Sequence, residues 1–491
     1  MSSVKNFRLY IDGKWIASSS GETFPSDNPA KPKKILGIFQ KGNQEDLNKA
    51  VEAAEKAFEE WSQMPVPKRG LILLKAAQLL RENKEALARE MTMEMGKVLA
   101  ESRGDVQEAI DVTEYMAGEG RRLWGNTTPS ELRKKFAMTI RMPIGVCGLI
   151  TPWNFPMAIP AWKIMTALIC GNTIVFKPSS DTPLCATRLV ETLEKAGLPE
   201  GVLNMVTGPG DAVGMSLVRH EKVRAVSFTG HKDTGAYILK EAGLKRVGLE
   251  MGGKNGIIIM DDANLNLALD GVIWGGFGTT GQRCTAASRV IVHEKVKEKF
   301  ETMLVNRIKK LKLGDGLEPD TDVGPLINKA AQEKSAKYVE IGKNEGAKLL
   351  TGGDIPKMDG FFFEPTLFTN CSVDMRIAQE EIFGPVVALI SVKDFDEAID
   401  VINSVEYGLS SAIYTNDVSR AFEAMTRIEA GLTYINSSTI GSEVHLPFGG
   451  IKHTGIGARE GGIEGINEFS EIKTVYVDYS GKLQKAQIDI A

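Results

Sequence analysis

From Val146 onward the chain repeats one grammar: a short apolar run, a turn, an amphipathic stretch, and then the next apolar run. VCGLITPW, AWKIMTALICG, NTIVFKPS, PLCATRLVETLEKAG, VLNMVTG, DAVGMSLVRH, AVSFTG and KDTGAYILKEAG follow one another in this way. Strand and helix in strict turn predict a parallel, doubly wound α/β sheet, because parallel neighbours need a crossover of helical length. A second series follows LEMGGKNGIIIM: a helix near 265–276, SRVIVHE, KVKEKFETMLVNRIKKL, VVALISV, FDEAIDVINSV, SSAIYT, AFEAMTRIEAG and LTYIN. This predicts a second α/β domain, with LEMGGKNG as the crossing between the two. Residues 45–99 carry apolar positions at three- and four-residue spacing, including LNKAVEAAEKAFEEW and KRGLILLKAAQLLRENKEALAREM, which predicts covering helices. KKFAMTIRMP and EIKTVYVDYS read as two further strands, too short for a core of their own and suited to extend a sheet into a neighbouring subunit.

Composition narrows the function. A balance of 59 Lys plus Arg against 63 Asp plus Glu, net charge -4, argues against a surface built for a phosphate backbone, so no nucleic-acid partner is expected. The uncharged run 142–162 holds Pro143, Pro152, Pro156, Pro160 and Asn154, which break helical pairing in lipid; it reads as core strand and loop, not membrane span. The start MSSVKNFRLYIDGKW lacks a secretory pattern, which makes the cytoplasm the expected location. The five cysteines are odd in number and form no CxxC pair, which predicts free thiols and no metal site.

Several motifs carry chemistry. Two glycine turns, TGPGDAVG (207–214) and FTGHKDTG (228–235), each follow a strand and open a helix, whose amides suit a phosphate group. Neither is a GxGxxG or a GxxxxGK[ST], and turn glycines with helix caps explain them equally well. Asn154, Lys177 and Glu250 each end an apolar run, and the carboxyl ends of parallel strands share the edge where ligands bind. The plain alternatives are a turn cap for Asn154, a solvated strand end for Lys177 and a Glu250–Lys254 pair. Cys284, in GTTGQRCTAASRV beside Arg283, is either a nucleophile or a small apolar side chain filling a gap. With an amide, a cation and a carboxylate nearby it would suit attack on a carbonyl.

WNFP, FKPS, FTG, LEMGGKN, GQRC, EEIFGPV and PFGGIK, in this order, resemble the signature segments of the aldehyde dehydrogenase superfamily, and the resemblance runs from YIDGKW to KTVYV. It implies an α/β fold of two doubly wound parallel-sheet domains plus a small β oligomerisation hairpin. The implied boundaries are 1–124 and 144–252, with 453–469, for a cofactor-binding domain; 253–452 for a catalytic domain; and 125–143 with 470–491 for the oligomerisation element of a dimer or tetramer. It implies that Cys284 attacks an aldehyde to form a thiohemiacetal, that Asn154 and the Cys284 amide hold the oxyanion, and that Glu250 activates the water that hydrolyses the resulting thioester. A cation such as Arg283 would favour the thiolate, and a structural role for Arg283 is an equal alternative.

The same resemblance assigns a nicotinamide dinucleotide to Lys177 at the adenosine ribose, Trp153 on the adenosine side, Gly230 near the pyrophosphate, and Glu381 with Phe383 at the nicotinamide ribose. Ser179, Ser180, Gly210, Phe228, His231 and Glu250 complete the cofactor set. Ser180 stands where NAD-preferring relatives commonly have glutamate, so NADP is the expected cofactor, with NAD also possible. His231 replaces the usual serine and is expected to face solvent. Phe155, Ile159, Trp162 and Phe448 match the aldehyde tunnel, with Arg283, Arg122, Ser437 or Ser438 as polar handles. The wording of INSSTIGSEVHLPFGG resembles the branch acting on 2-oxoglutarate semialdehyde, with glyceraldehyde oxidisers close by. Rivals are the non-phosphorylating glyceraldehyde-3-phosphate branch, which would use Arg121 or Arg122; the coenzyme A acylating branch, against which Glu250 argues; a cysteine hydrolase, for which no His base stands out; and a catalytically silent cofactor-binding protein.

Overall fold

The computed structural model describes residues 4–488. The first series forms the predicted sheet. Five parallel strands, Leu203–Met205, Thr173–Lys177, Val146–Ile150, Val223–Thr229 and Arg246–Glu250, lie in that order, and antiparallel strands extend both edges to a total of eight. Val146–Ile150 and Thr173–Lys177 are buried at every residue, as expected where helices cover both faces. Strand order reverses beside Val146–Ile150, which opens the crevice that such sheets offer to a ligand. Register fixes what meets there, since Ile150 pairs with Lys177 and with Phe228, and Thr229 pairs with Glu250.

The second series builds a seven-stranded sheet. Its order is Lys348–Thr351, Thr366–Thr369, Val386–Val392, Ala287–His293, Asn255–Ile259, Ser410–Tyr414 and Leu432–Ile435, parallel except for the first pair. Ser470–Asp478 pairs antiparallel along the whole of Lys135–Pro143, with Thr127–Pro129 on its other side. The expected oligomerisation element comprises these strands, except that 489–491 of it, like residues 1–3 of the first expected domain, lie outside the described residues. Phe136, Ile140, Ile472, Tyr476 and Val477 are exposed on this ribbon.

The helices follow local rules. Gln44–Gln63 starts in a capping box between Asn43 and Asp46 and buries Leu47, Ala50, Val51, Ala54 and Trp61. Pro183–Ala196 opens with proline and ends at Gly197, whose φ of 91° needs no Cβ penalty. KRGLILLKAAQLLRENKEALAREM forms two of the expected covering helices, within Val66–Glu82 and Lys84–Met95. Asn83 breaks the run by turning its side chain back onto the Leu79 carbonyl at 2.8 Å. The turn TGPGDAVG opens only a five-residue helix, Met215–Arg219, reached through a wider turn at Gly210–Gly214, whereas FTGHKDTG opens the ten-residue Lys232–Glu241. Among the described residues no helix is long and apolar enough to cross a membrane.

Candidate active site

Cys284 lies between the helix Leu265–Phe277 and the strand Ala287–His293, on a turn that joins the second sheet to the crevice of the first. Asn255 holds that turn, donating Nδ2 to the carbonyls of Cys284 at 2.7 Å and Ala286 at 3.0 Å while its Oδ1 accepts the Ser410 amide. The other four cysteines are buried and free, and Cys284 alone among them is partly accessible. Burial, then the charges of Glu381 and Glu250, push its thiol up to about 12, against the pull of the Thr285 and Cys284 amides.

Of the two expectations for Arg283, its contacts fit the structural one. Its Nη2 pairs with Glu101 at 3.2 Å, its Nε donates to Thr279 Oγ1 at 2.8 Å, and its guanidinium stacks between Phe155 and Trp274 at 5.1 and 4.8 Å from the ring centroids. The carboxylate of Glu101 already answers its charge.

The three strand-end residues lie at one edge of the first sheet, each on the wall of a different cavity. Asn154 is 2% exposed, donates Nδ2 to the Gln282 carbonyl at 3.1 Å, and leaves its Oδ1 buried without a partner. Lys97 fixes the same turn by donating to the Asn154 carbonyl at 2.8 Å, while pairing with Asp105 at 2.8 Å. Lys177 is buried, not a solvated strand end; its Nζ donates to the Pro178 carbonyl at 3.0 Å, and desolvation lowers it to about 8. Glu250 does not pair with Lys254: Glu250 Oε2 and Lys254 Nζ are both buried without hydrogen-bond partners. Burial first, then the charge of Glu460, raise Glu250 well above the ordinary carboxylate range, against Lys163 and Arg459.

Three adjoining chambers follow from this geometry. The outermost, about 600 Å³, is lined by Lys177, Ser179, Gly210, Asp211, Phe228, Gly230, His231 and Asp233. It shares Pro152, Thr229, Gly230 and His231 with a middle chamber of about 230 Å³ that contains Trp153, Asn154, Cys284, Lys334, Glu381 and Phe383. The middle chamber in turn shares Ile159, Thr229, Met251 and Cys284 with an inner one of about 130 Å³, walled by Phe155, Trp162, Phe448, Arg283, Glu250 and Glu108. Cys284 is thus reached from both sides.

Trp153 belongs to the middle chamber, edge-on to Phe383 with ring centroids 5.5 Å apart, and not beside Lys177 as expected for an adenosine contact. Pro152 lines both chambers, whereas Trp153 lines the middle one alone. Ser180 does not line the outer chamber; its hydroxyl donates to the Gly208 carbonyl at 3.0 Å. His231 is half exposed and caps Lys232–Glu241 by accepting the Asp233 amide. Glu381 accepts the Gly253 amide at 3.0 Å. A side chain at Gly253 would come within 2.6 Å of the Cys284 carbonyl, so the glycine lets these two segments touch.

Of the expected polar handles, only Arg283 lines the inner chamber. Arg122 pairs with Glu119, and Ser438 donates to the Gly271 carbonyl. Sequence reasoning missed Glu108, Glu460 and Lys334. Glu460 forms an ion pair with Lys163, which also donates to Ser227. Lys334 sits on Lys329–Asn344, a helix hidden by its polarity, whose buried Gln332, Ser335, Val339 and Gly342 recur at helical spacing.

The model described as the aldehyde dehydrogenase family matches residues 15–475. The chain is 44% identical to the alpha-ketoglutarate semialdehyde dehydrogenase of Haloferax volcanii over 96% of this chain and 98% of that one. It is 42% identical to the alpha-ketoglutaric semialdehyde dehydrogenase of Bacillus subtilis, over 95% and 97%. The crystal structure of betaine aldehyde dehydrogenase from Staphylococcus aureus in complex with NAD+ superposes with a TM-score of 0.95 at 39% identity, covering 97% of this chain and 95% of that one.

Proposed function

The chain belongs to the aldehyde dehydrogenase family, and from that premise we propose that it oxidises a small polar semialdehyde to its acid with a nicotinamide dinucleotide, through an acyl group carried on Cys284. One observation carries the reading: Cys284 lies on the shared wall of two chambers, one suited to a cofactor and one to an aldehyde.

The outer and middle chambers fit a dinucleotide. Lys177 Nζ has one neighbouring carbonyl as its partner and keeps donors to spare, Gly230 opens the passage, and Glu381 spends one oxygen on the Gly253 amide. These residues, with His231 and Phe383, would hold the cofactor, which when bound accepts a hydride. Ser180 places no carboxylate against a 2′-phosphate, so NADP is accepted as well as NAD. Asp211 and Asp233 on the same wall limit that preference.

Chemistry on the protein side follows from the groups present. Cys284 Sγ releases its proton to solvent water and adds as the thiolate to the aldehyde carbon. The second N–H of Asn154, free of Gln282, and the Cys284 amide steady the oxyanion. Loss of hydride leaves a thioester on Sγ. Glu250, on the inner chamber wall, removes a proton from the water that cleaves it and returns the thiol.

Phe155, Ile159, Trp162 and Phe448 would line the carbon chain, and Arg283 Nη1 offers a donor to a polar far end. With relatives above 40% identity that act on alpha-ketoglutarate semialdehyde, these support 2-oxoglutarate semialdehyde as substrate. A second reading, betaine aldehyde, draws on the Trp162–Phe448 edge contact at 5.7 Å with Glu108 beside it, an arrangement that suits a quaternary cation. The glyceraldehyde-3-phosphate reading is less well supported, because neither Arg121 nor Arg122 lines the inner chamber. Free thiols suit a reducing compartment, in keeping with the cytoplasm. The exposed apolar ribbon suits a homo-oligomer.

Formation of reduced cofactor tests this directly, with NADP and NAD in parallel, against 2-oxoglutarate semialdehyde, succinic semialdehyde, betaine aldehyde, glyceraldehyde, glyceraldehyde 3-phosphate and propanal. The reading expects the highest kcat/KM with 2-oxoglutarate semialdehyde. A clear preference for betaine aldehyde selects the second reading.

A further inference from the structure

We propose that Glu101 is a positioning residue for the nucleophile turn: its carboxylate holds Thr279 in a left-handed conformation and so keeps Cys284 at the junction of the two chambers. The proposal rests on the reading of Cys284 as nucleophile. Three successive residues, Thr279, Thr280 and Gly281, have φ of 52°, 59° and 71°. Glycine is at ease there; two β-branched residues in a row are not, because Cβ crowds the backbone in this region. Such a conformation persists only where its surroundings hold it.

The surroundings are specific. Glu101 Oε1 accepts the Thr279 N–H at 2.7 Å and the Arg283 Nη2 at 3.2 Å, and Arg283 Nε closes the ring on Thr279 Oγ1 at 2.8 Å. Thr280 Oγ1 anchors the far side on the Gly324 carbonyl at 2.9 Å. Glu101 stands near the start of Leu99–Glu119 and is 8% exposed, so its charge has Arg283 as its answer inside the protein. One turn further along the same helix, Asp105 accepts the Ala158 amide at 2.7 Å and pairs with Lys97, which holds the Asn154 carbonyl. A single helix therefore braces the Cys284 turn and the Asn154 turn together.

A purely structural Glu101 would alter stability and cofactor affinity together, without singling out the thiol. The full-length enzyme and its Glu101→Ala, Glu101→Gln and Glu101→Ala/Thr279→Gly variants separate the cases, by the rate at which iodoacetamide alkylates Cys284, by kcat and KM for propanal, and by the Kd for NADP. Glu101→Ala is expected to slow alkylation and kcat by about tenfold to a hundredfold, with the Kd for NADP unchanged. Glu101→Gln, which still offers an oxygen to Thr279, should stay within about threefold of the parent. Thr279→Gly, which removes the crowding, should restore at least about tenfold of the lost alkylation rate. If Glu101→Ala yields no folded enzyme, Glu101→Leu fills a similar volume and should show the same loss. Alkylation within about threefold of the parent in the Ala or Leu variant overturns the proposal, as does equal loss in Glu101→Gln or no recovery with Thr279→Gly. Failure of the nucleophile reading is seen separately, as turnover that survives Cys284→Ala.

Discussion

Asn154 Nδ2 meets the carbonyl of Gln282 at 3.1 Å, a bond that spans 128 positions of sequence and ties the crevice of the first sheet to the turn that carries Cys284. One amide thereby sets the distance between the two halves of the site while keeping a second N–H for the substrate oxygen. Asn154→Ala removes both functions. Its kcat should fall by about 10²–10³-fold, the usual cost of losing one oxyanion donor, with dinucleotide affinity retained. A loss confined to KM would show that Asn154 only braces the turn that carries Cys284.

Burial and two neighbouring carboxylates keep the Cys284 thiol protonated in the free enzyme. The sign is simple: a raised thiol loses its proton only as pH rises, so thiolate is scarce at neutral pH. Alkylation by iodoacetamide should climb by about tenfold per pH unit from about pH 7 to about pH 9. A flat profile over that range would show the thiolate already formed.

Glu250 is raised by burial and by Glu460, so it is protonated, and useless as a base, at a higher pH than an ordinary carboxylate. Hydrolysis of the thioester should therefore weaken as pH falls toward mild acidity and recover as pH rises. Stopped-flow of Glu250→Gln should show one burst of reduced cofactor followed by a steady rate at least about 10²-fold below the parent. An unchanged steady rate would assign the base elsewhere.

Ser180 leaves the outer chamber without a fixed carboxylate beyond Asp211 and Asp233. Ser180→Glu, beside Ser179 of the chamber wall, would extend a longer charged side chain toward the chamber and repel a 2′-phosphate. The Kd for NADP should rise by about tenfold or more, with that for NAD little changed. Equal changes for both cofactors would mean that the substitution had disturbed the Gly208 turn instead.

The sequence was most readable where a motif is local. Both parallel sheets, the paired ribbon strands, and the placement of Asn154, Lys177 and Glu250 at one edge of the first sheet follow from period, strand ends and short signatures. What escaped depends on distant pairing. Glu101 meets Thr279 across 178 positions and Lys163 meets Glu460 across 297, and nothing in the local wording of either marks its partner. Arg283 shows the converse: adjacency to Cys284 in sequence suggested thiol activation, but Glu101 and two aromatic rings hold it elsewhere. The apolar spacing lapses between Leu80 and Ala86, and Asn83 stands at that break with its side chain bonded to the Leu79 carbonyl.

The central claim is that Cys284 carries the acyl group, and peptide mass spectrometry tests it most directly. Glu250→Gln enzyme is mixed with NADP and 2-oxoglutarate semialdehyde, quenched in acid, and compared with the same enzyme also carrying Cys284→Ala. The account predicts an acyl mass on the peptide containing Cys284, equal to the aldehyde less one hydrogen in place of the thiol proton, and none in the double variant. Reduced cofactor produced by the double variant, or an acyl mass on any other residue, would contradict it.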